Sequence, residues 1–268
     1  MAGTLFIETL HRNWRLIIYF GLGLAIMGYY ILTVLPDVDA LKQYAELLKT
    51  MPPALLQMFG AQDAAALTTP EGFIGFGYFT LTILIMAVYA VLVGTHITAD
   101  EEEAGILDVL LSLPVARWRV MIERFAAFGL MTVVIIAAGL VGLIAGSATT
   151  ALAIDSGKLL VGAINMLPTT LLLMALTACA AVIVRGRNQA LLIAVAVIIA
   201  SYFLDFIARA ASHAVIDALS LLSFFTYYDS QEVIIDGLNA GHVLVLLAAA
   251  SVLMAAALWF FERRDIGV

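Results

Sequence analysis

Residues 99–114, ADEEEAGILDVLLSLP, hold the densest charge in the chain and lie between two long apolar runs. Asp100 with Glu103 three residues later is typical of a helix N-cap and its capping-box partner, and acidic residues suit the positive end of a helix dipole. Four apolar residues then recur at the i, i+3, i+4, i+7 spacing of one helix face: Ile106, Val109, Leu110 and Leu113. Pro114 ends the pattern. We predict a short amphipathic helix over 100–113 at a membrane surface, a shape that suits protein docking better than catalysis.

The composition of the whole chain is that of a membrane protein. Of its 268 residues, 63% are hydrophobic and 12% are charged, and the mean hydropathy is +1.06. A soluble domain has about 45–50% apolar and about 25% charged residues. Because a bilayer core needs about 20 apolar residues per helix, the sequence predicts an all-α integral membrane protein with a single transmembrane domain over 1–268. The six predicted spans are 16–35, 73–97, 120–146, 159–184, 189–208 and 242–261.

The first 15 residues predict an interfacial helix over 2–15. Phe6, Leu10 and Trp14 recur on one face, whereas Glu8 and Arg12 lie on the other. The apolar run that follows, 16–35, is longer than the core of a signal peptide, so we expect it to be retained as a span.

The distribution of positive charge predicts the orientation. Nine of the 13 Lys and Arg residues fall on the side of the N-terminus, the 100–113 helix and the C-terminus, and four fall on the other side. The positive-inside rule places the first side in the cytosol. We therefore expect a multi-pass protein of a prokaryotic cytoplasmic membrane with both termini cytosolic. Its net charge of −7 lies in the connecting segments and indicates no nucleic-acid partner.

The chain contains none of the motifs that carry nucleotide or hydrolytic chemistry. Of its three Lys residues only Lys158 follows a Gly, and this Gly-Lys lacks the remaining positions of a Walker A loop. The four His are scattered and Cys179 is alone, so we predict no catalytic residue, no metal site and no disulfide. The protein is therefore not expected to be an enzyme, and any energy for work would come from another subunit.

Few polar residues fall inside the predicted spans, and such residues are functional candidates. Asp205, near the outer end of the fifth span, could face a cavity or pair with Arg209 four residues later. In the fourth span Asn165 and Thr169 could line a path or bond between helices. With so little polarity, a path through the spans would suit an amphiphilic or lipid-like passenger.

Two further features concern packing. Gly142 and Gly146 form a small-residue pattern that allows close helix contact in the third span. The loop 209–240 is long and apolar, and we expect five of its residues to be partly buried: Leu219, Leu221, Leu222, Phe224 and Phe225.

The stretch between spans two and three resembles the signature of ABC-2-type permeases, the membrane subunits of ATP-binding-cassette exporters. The matching residues are Asp100, Glu101, Glu102, Glu103, Gly105, Leu107, Leu110, Leu111, Ser112, Pro114 and Arg117. The likeness extends to an amphipathic segment before span one, to residues 69–73 at the start of span two and to the Phe-x-Arg-Arg-Asp end at 261–265.

The resemblance implies a half-transporter. Two permease subunits, here expected to be identical copies, would pair in lipid, and each would bind a cytosolic ATPase that itself holds ATP and Mg²⁺, so that this chain needs no cofactor. The 100–113 segment would be the coupling helix, with Glu101, Glu102, Glu103 and Gly105 contacting the ATPase and Arg117 close by. Asp205, Asn165 and Thr169 are the candidates for the translocation path. Two alternatives remain open at this point. The acidic residues could be ordinary solvated loop charge, and the chain could be a six-span channel or membrane assembly factor without an ATPase.

Overall fold

Long apolar helices dominate the structure, a computed structural model that describes residues 3–34, 38–50, 52, 69–97, 116–152, 154–184, 186–210 and 220–263. Six helices are long and apolar enough to cross a membrane. They are α1 (Thr4–Val34), α3 (Pro70–His96), α4 (Arg117–Ser147), α5 (Ser156–Ile183), α6 (Arg187–Ala210) and α9 (Ala240–Arg263). Three shorter helices are α2 (Val38–Lys49), α7 (Phe224–Tyr228) and α8 (Ser230–Asp236). The described residues contain no strand, and the predicted all-α fold with six spans is confirmed.

The N-terminal segment is continuous with the first span. One unbroken helix, α1, covers residues of both the predicted interfacial segment 2–15 and the predicted span 16–35. At about 1.5 Å per residue its 31 residues extend about 46 Å, which exceeds the thickness of a bilayer core of about 30 Å. The predicted helix 100–113, with Glu101, Glu102, Glu103 and Gly105, lies outside the described residues and stays a prediction.

Helices α1 and α4 run parallel and pack together along their lengths. Gly142 of α4 lies so close to Ala25 of α1 that a Cβ atom at Gly142 would overlap the Ala25 backbone. Four residues later, a Cβ atom at Gly146 would lie 3.0 Å from the carbonyl oxygen of Tyr29. The small-residue pattern predicted from the sequence is therefore a real helix–helix contact, in which absent side chains allow two backbones to approach.

Helix α5 is the centre of the bundle. It packs against α3, α4, α6 and α9, and 78% of its most apolar 18-residue window is buried. The corresponding fraction is 22% for α1, α6 and α9, so these three helices present most of their apolar side chains outward. Outward-facing Leu, Ile and Val residues are expected of helices in contact with lipid or with another subunit.

The short helices α7 and α8 fold back against the bundle at the end where α1 finishes at Val34, which we call the distal end. The side-chain amide of Asn165, in the third turn of α5, donates to the carbonyl oxygen of Tyr228 at the end of α7. Phe224 is half-buried and Phe225 is buried, as predicted, whereas Leu219 lies outside the described residues. Leu221 and Leu222, however, are 61% and 72% exposed. The prediction for these two leucines was wrong because the chain turns outward before α7 begins.

Candidate functional site

A cluster of charged and polar side chains occupies the distal end of α6. Arg209 donates from Nε to Oδ2 of Asp205 at 2.9 Å and from Nη1 to Oδ2 of Asp229 at 3.3 Å. The hydroxyl of Thr226 donates to the other oxygen of Asp205 at 2.9 Å. We call these four residues the distal polar cluster. With two carboxylates and one guanidinium its formal charge is −1, and all three charged side chains are at most 20% exposed.

The distal polar cluster opens into a small cavity of about 40 Å³ between α3, α6 and the α7–α8 segment. The rest of its wall is mainly aromatic. Its lining residues are Thr80, Ile83, Tyr202, Asp205, Phe206, Arg209, Phe225, Tyr228, Asp229 and Ser230. This volume accommodates a small polar group, and ring faces beside carboxylates attract cations.

Below this cavity, toward the middle of the bundle, α3 and α6 are separated by an apolar groove of about 240 Å³. We call it the α3–α6 groove; it is lined by Leu84, Ala87, Val88, Val91, Leu92, Val195, Ile198 and Ile199. On α3 the groove begins at Leu84, next to Ile83 of the cavity wall. On α6 it ends at Ile199, less than one turn before Tyr202 of the cavity wall. The groove and the cavity therefore follow one another along the same two helices.

A π turn in α3 lies against α7 and α8 at this site. Residues Gly75–Phe79 are π-helical, and such single turns interrupt the regular ladder of backbone hydrogen bonds. Tyr228 donates its hydroxyl to the carbonyl oxygen of Phe79 at 3.0 Å. Burial, with smaller contributions from Tyr78 and Asp229, raises the pKa of Tyr228 well above its usual value, so the hydroxyl keeps its proton.

Helix α8 is held against α3 by two more contacts. The hydroxyl groups of Thr80 and Ser230 lie 2.7 Å apart. A Cβ atom at Gly75 would lie 3.1 Å from Cα of Gln231, so a larger residue at this position would push the backbones of α3 and α8 slightly apart.

Of the three residues predicted to line a translocation path, one lines the cavity and two do not. Asp205 makes the predicted ion pair with Arg209 and also lines the cavity. Asn165 bonds to Tyr228 and is 2% exposed, and Thr169 is fully buried; neither lines the cavity or the groove. Arg117 begins α4 at the opposite end of the bundle and is half-buried.

Sequence reasoning missed Asp229 and Tyr228, although the sequence held one signal for them. Asp229 followed by Glu232 matches a capping box, and Oδ1 of Asp229 does accept from the backbone N–H of Glu232 at 3.2 Å. This pattern predicts where α8 starts. It does not predict that the preceding turn would fold back onto α3 and α6.

No group of three His, Cys, Asp or Glu side chains that could hold a metal ion occurs among the described residues.

Comparison with known protein families shows which family this chain belongs to. A family model described as ABC-2 family transporter protein matches residues 10–266. The chain belongs to the ABC-2 transporter family. The match covers all six long helices of this transporter except the first two turns of α1, and it supports the resemblance drawn from residues 100–117. No curated protein matches the chain.

Membership of this family together with six apolar helices makes the protein a multi-pass membrane protein. Chains of this family are the transmembrane subunits of ABC transporters.

Proposed function

We propose that this chain is the permease subunit of an exporter that moves an amphiphilic or hydrophobic substrate, using ATP hydrolysed by a separate cytosolic ATPase. ATP and Mg²⁺ would be bound by that ATPase and not by this chain. Glu101, Glu102, Glu103 and Gly105 would contact the ATPase, with Arg117 beside them. The observation that carries the proposal is the α3–α6 groove and the polar cavity at its distal end, in a chain of the ABC-2 family.

The order of these two spaces along α3 and α6 suits an amphiphile. An apolar tail can lie in the groove without desolvating any polar group, because all eight lining residues are apolar. A polar headgroup in the same place would be costly, since buried polar groups need hydrogen-bond partners. The distal cavity supplies those partners from Thr80, Asp205 and Ser230.

The sign of the headgroup follows from the charge of the distal polar cluster. Asp205 and Asp229 outnumber the single cation of Arg209, and the rings of Tyr202 and Phe225 also line the cavity. A cationic or zwitterionic headgroup is favoured over an anionic one. In vesicles that hold the complete transporter, a cationic fluorescent amphiphile should stimulate ATP hydrolysis more than an anionic one with the same tail. Equal stimulation by the two would refute this choice of headgroup.

We also propose that two copies of the chain pair in the membrane. The outward faces of α1, α6 and α9 are extensive, and a pathway between two half-transporters would be completed by the partner. The mass of the purified complex measured by native mass spectrometry distinguishes a homodimer from a monomer or a heterodimer.

The test of the ATPase assignment is affinity purification of the chain from its native cells in a mild detergent, followed by mass spectrometry. We expect a stoichiometric ATPase that is lost from Glu102→Lys. The matched control is Glu262→Lys, which reverses an exposed carboxylate on the last turn of α9 and should keep the ATPase. Absence of any ATPase from the unaltered protein in several mild detergents would contradict the proposal.

A further inference from the structure

Two adjacent residues of α4, Glu123 and Arg124, each cap the end of a different neighbouring helix. Oε1 of Glu123 accepts from the backbone N–H of Gly3 at 3.2 Å, and Oε2 accepts from that of Phe6 at 3.4 Å. Arg124 donates from Nη1 to the carbonyl oxygen of Ile97 at 3.0 Å. Gly3 directly precedes α1, Phe6 belongs to its first turn, and Ile97 is the C-cap of α3.

The sign of each side chain matches the helix end that it caps. The first N–H groups of a helix lack partners within the helix and carry partial positive charge, whereas the last C=O groups carry partial negative charge. The carboxylate of Glu123 meets the former, and the guanidinium of Arg124 meets the latter. Because successive helical residues point about 100° apart, neighbours in sequence can reach α1 on one side of α4 and α3 on the other.

Both side chains are well shielded from water. Arg124 is 4% exposed and the side chain of Glu123 is 14% exposed. Nε of Arg119 also donates to Oε1 of Glu123 at 2.7 Å, which fixes the position of the carboxylate from within α4. Charged groups so placed are costly to leave without a partner, and their bonds therefore resist separation of the three helices at this end.

The position of the two contacts in the chain suggests what they do. Ile97 is the last described residue before the predicted coupling helix, and α4 begins directly after it. Any force on the predicted helix 100–113 reaches the bundle through the end of α3 and the start of α4. Arg124 ties those two points together, and Glu123 ties α1 to them.

We propose that Glu123 and Arg124 are positioning residues that make α1, α3 and α4 move as one body when the ATPase closes. This inference rests on the proposed function, since it requires an ATPase that acts on the chain. It assigns to two residues of this chain a task that the family match does not address.

The experiment measures distances between spin labels in the complete complex reconstituted with its ATPase. In a Cys179→Ser background, one pair of labels at Glu8→Cys and Ile122→Cys reports on α1 and α4. A second pair at Ile85→Cys and Ile122→Cys reports on α3 and α4. All three labelled positions are exposed. Distances are recorded without nucleotide and after trapping with ATP and vanadate.

In the otherwise unaltered protein we expect each pair to keep one narrow distance in both states. In Glu123→Gln the α1–α4 distance should broaden after trapping, and in Arg124→Met the α3–α4 distance should do so, while both variants still hydrolyse ATP. Arg124→Lys, which retains a cationic donor, should restore the narrow distance. The matched control is Lys158→Met, which breaks a 3.1 Å ion pair with Glu71 at the distal end and should change neither distance.

Three results would overturn the inference. One is a narrow distance in both variants after trapping. Another is a broad distance already present without nucleotide, which would make the two residues merely structural. The third is movement of α1 or α3 relative to α4 in the protein with Glu123 and Arg124 intact. Failure of the proposed function is recognised separately, because the unaltered preparation would then contain no ATPase.

Discussion

The α1–α4 and α3–α6 contacts differ in the way the two helices of each pair meet. Along α1 and α4, the backbones approach closely: a Cβ atom at Gly142 would overlap the backbone of Ala25, and one at Gly146 would lie 3.0 Å from the carbonyl oxygen of Tyr29. Between α3 and α6 a groove of about 240 Å³ remains, with Leu84 and Val88 on one side and Val195 on the other. The first pair is in close backbone contact, and the second pair leaves a groove between its helices.

This difference indicates which helices separate during transport. A close-packed seam loses many dispersion contacts when it opens, and these contacts are individually small but large in sum. The α3–α6 groove has few such contacts to lose, and its lining makes no hydrogen bonds between side chains that would have to break. We therefore expect α1 and α4 to stay together while α3 and α6 move apart to admit substrate.

The largest expected effect is that of adding one methyl group to the α1–α4 seam. In Gly142→Ala the added methyl group would overlap the backbone of Ala25, and overpacking of this kind costs about 3 kcal/mol. The unfolding temperature of the detergent-solubilised protein, measured by scanning fluorimetry, should fall by several degrees.

Gly129→Ala on the same helix is the control for this prediction. Its new methyl group would lie 3.6 Å from a side-chain atom of Leu171, an ordinary contact. Since Ala favours helix over Gly by about 1 kcal/mol, the unfolding temperature should be unchanged or higher. If both variants unfold at the same temperature, the α1–α4 seam is less tightly packed than the structure indicates.

Filling the α3–α6 groove should abolish transport without unfolding the protein. Val195→Trp places a large ring where we propose the substrate tail lies, whereas Val197→Trp places the same ring outside the groove on the same helix. The two valines are 41% and 38% exposed, so the variants are matched in burial. Amphiphile-stimulated ATP hydrolysis in vesicles should be lost only in Val195→Trp. Equal stimulation in both variants would show that substrate does not use this groove.

Breaking the distal polar cluster should lower the free energy of unfolding by less than the change at Gly142 does. Arg209→Met leaves Asp205 and Asp229 as partly buried carboxylates without their cation, and we expect a loss of about 2 kcal/mol, less than for a fully buried pair. The triple variant with Asp205→Asn and Asp229→Asn removes those charges and should recover part of the loss. Thermal unfolding of the three proteins checks this. A triple variant less stable than Arg209→Met would show that the loss does not come from uncompensated negative charge.

The smallest expected effect is that of one hydrogen bond across the π turn. Tyr228→Phe removes the donor to the carbonyl oxygen of Phe79 and should cost about 1 kcal/mol. Tyr227→Phe is the control, because the hydroxyl of Tyr227 donates to the carbonyl oxygen of Leu221 at 3.0 Å in an exposed position and water can replace it. Comparable losses of stability in the two variants would contradict a special role for the π turn.

The sequence by itself determined the parts of this protein that depend on solvent and local spacing. Six long apolar runs predict six spans because a lipid environment demands apolar side chains over a fixed length. The residues 100–117 pointed to the family, and the i, i+4 spacing of Asp205 and Arg209 made their ion pair one of two predicted alternatives, since such residues share one helix face. The spacing of Gly142 and Gly146 allowed a close helix contact but did not indicate the partner helix.

Only the tertiary structure decided which distant residues meet. Asp229 reaches Arg209 because α7 and α8 fold back onto α3, where they lie against a π turn and Gly75. Glu123 and Arg124 cap α1 and α3 because α4 lies between those helices at their ends. Neither arrangement has a periodic signature in the sequence, since each arises from the packing of elements that are far apart along the chain.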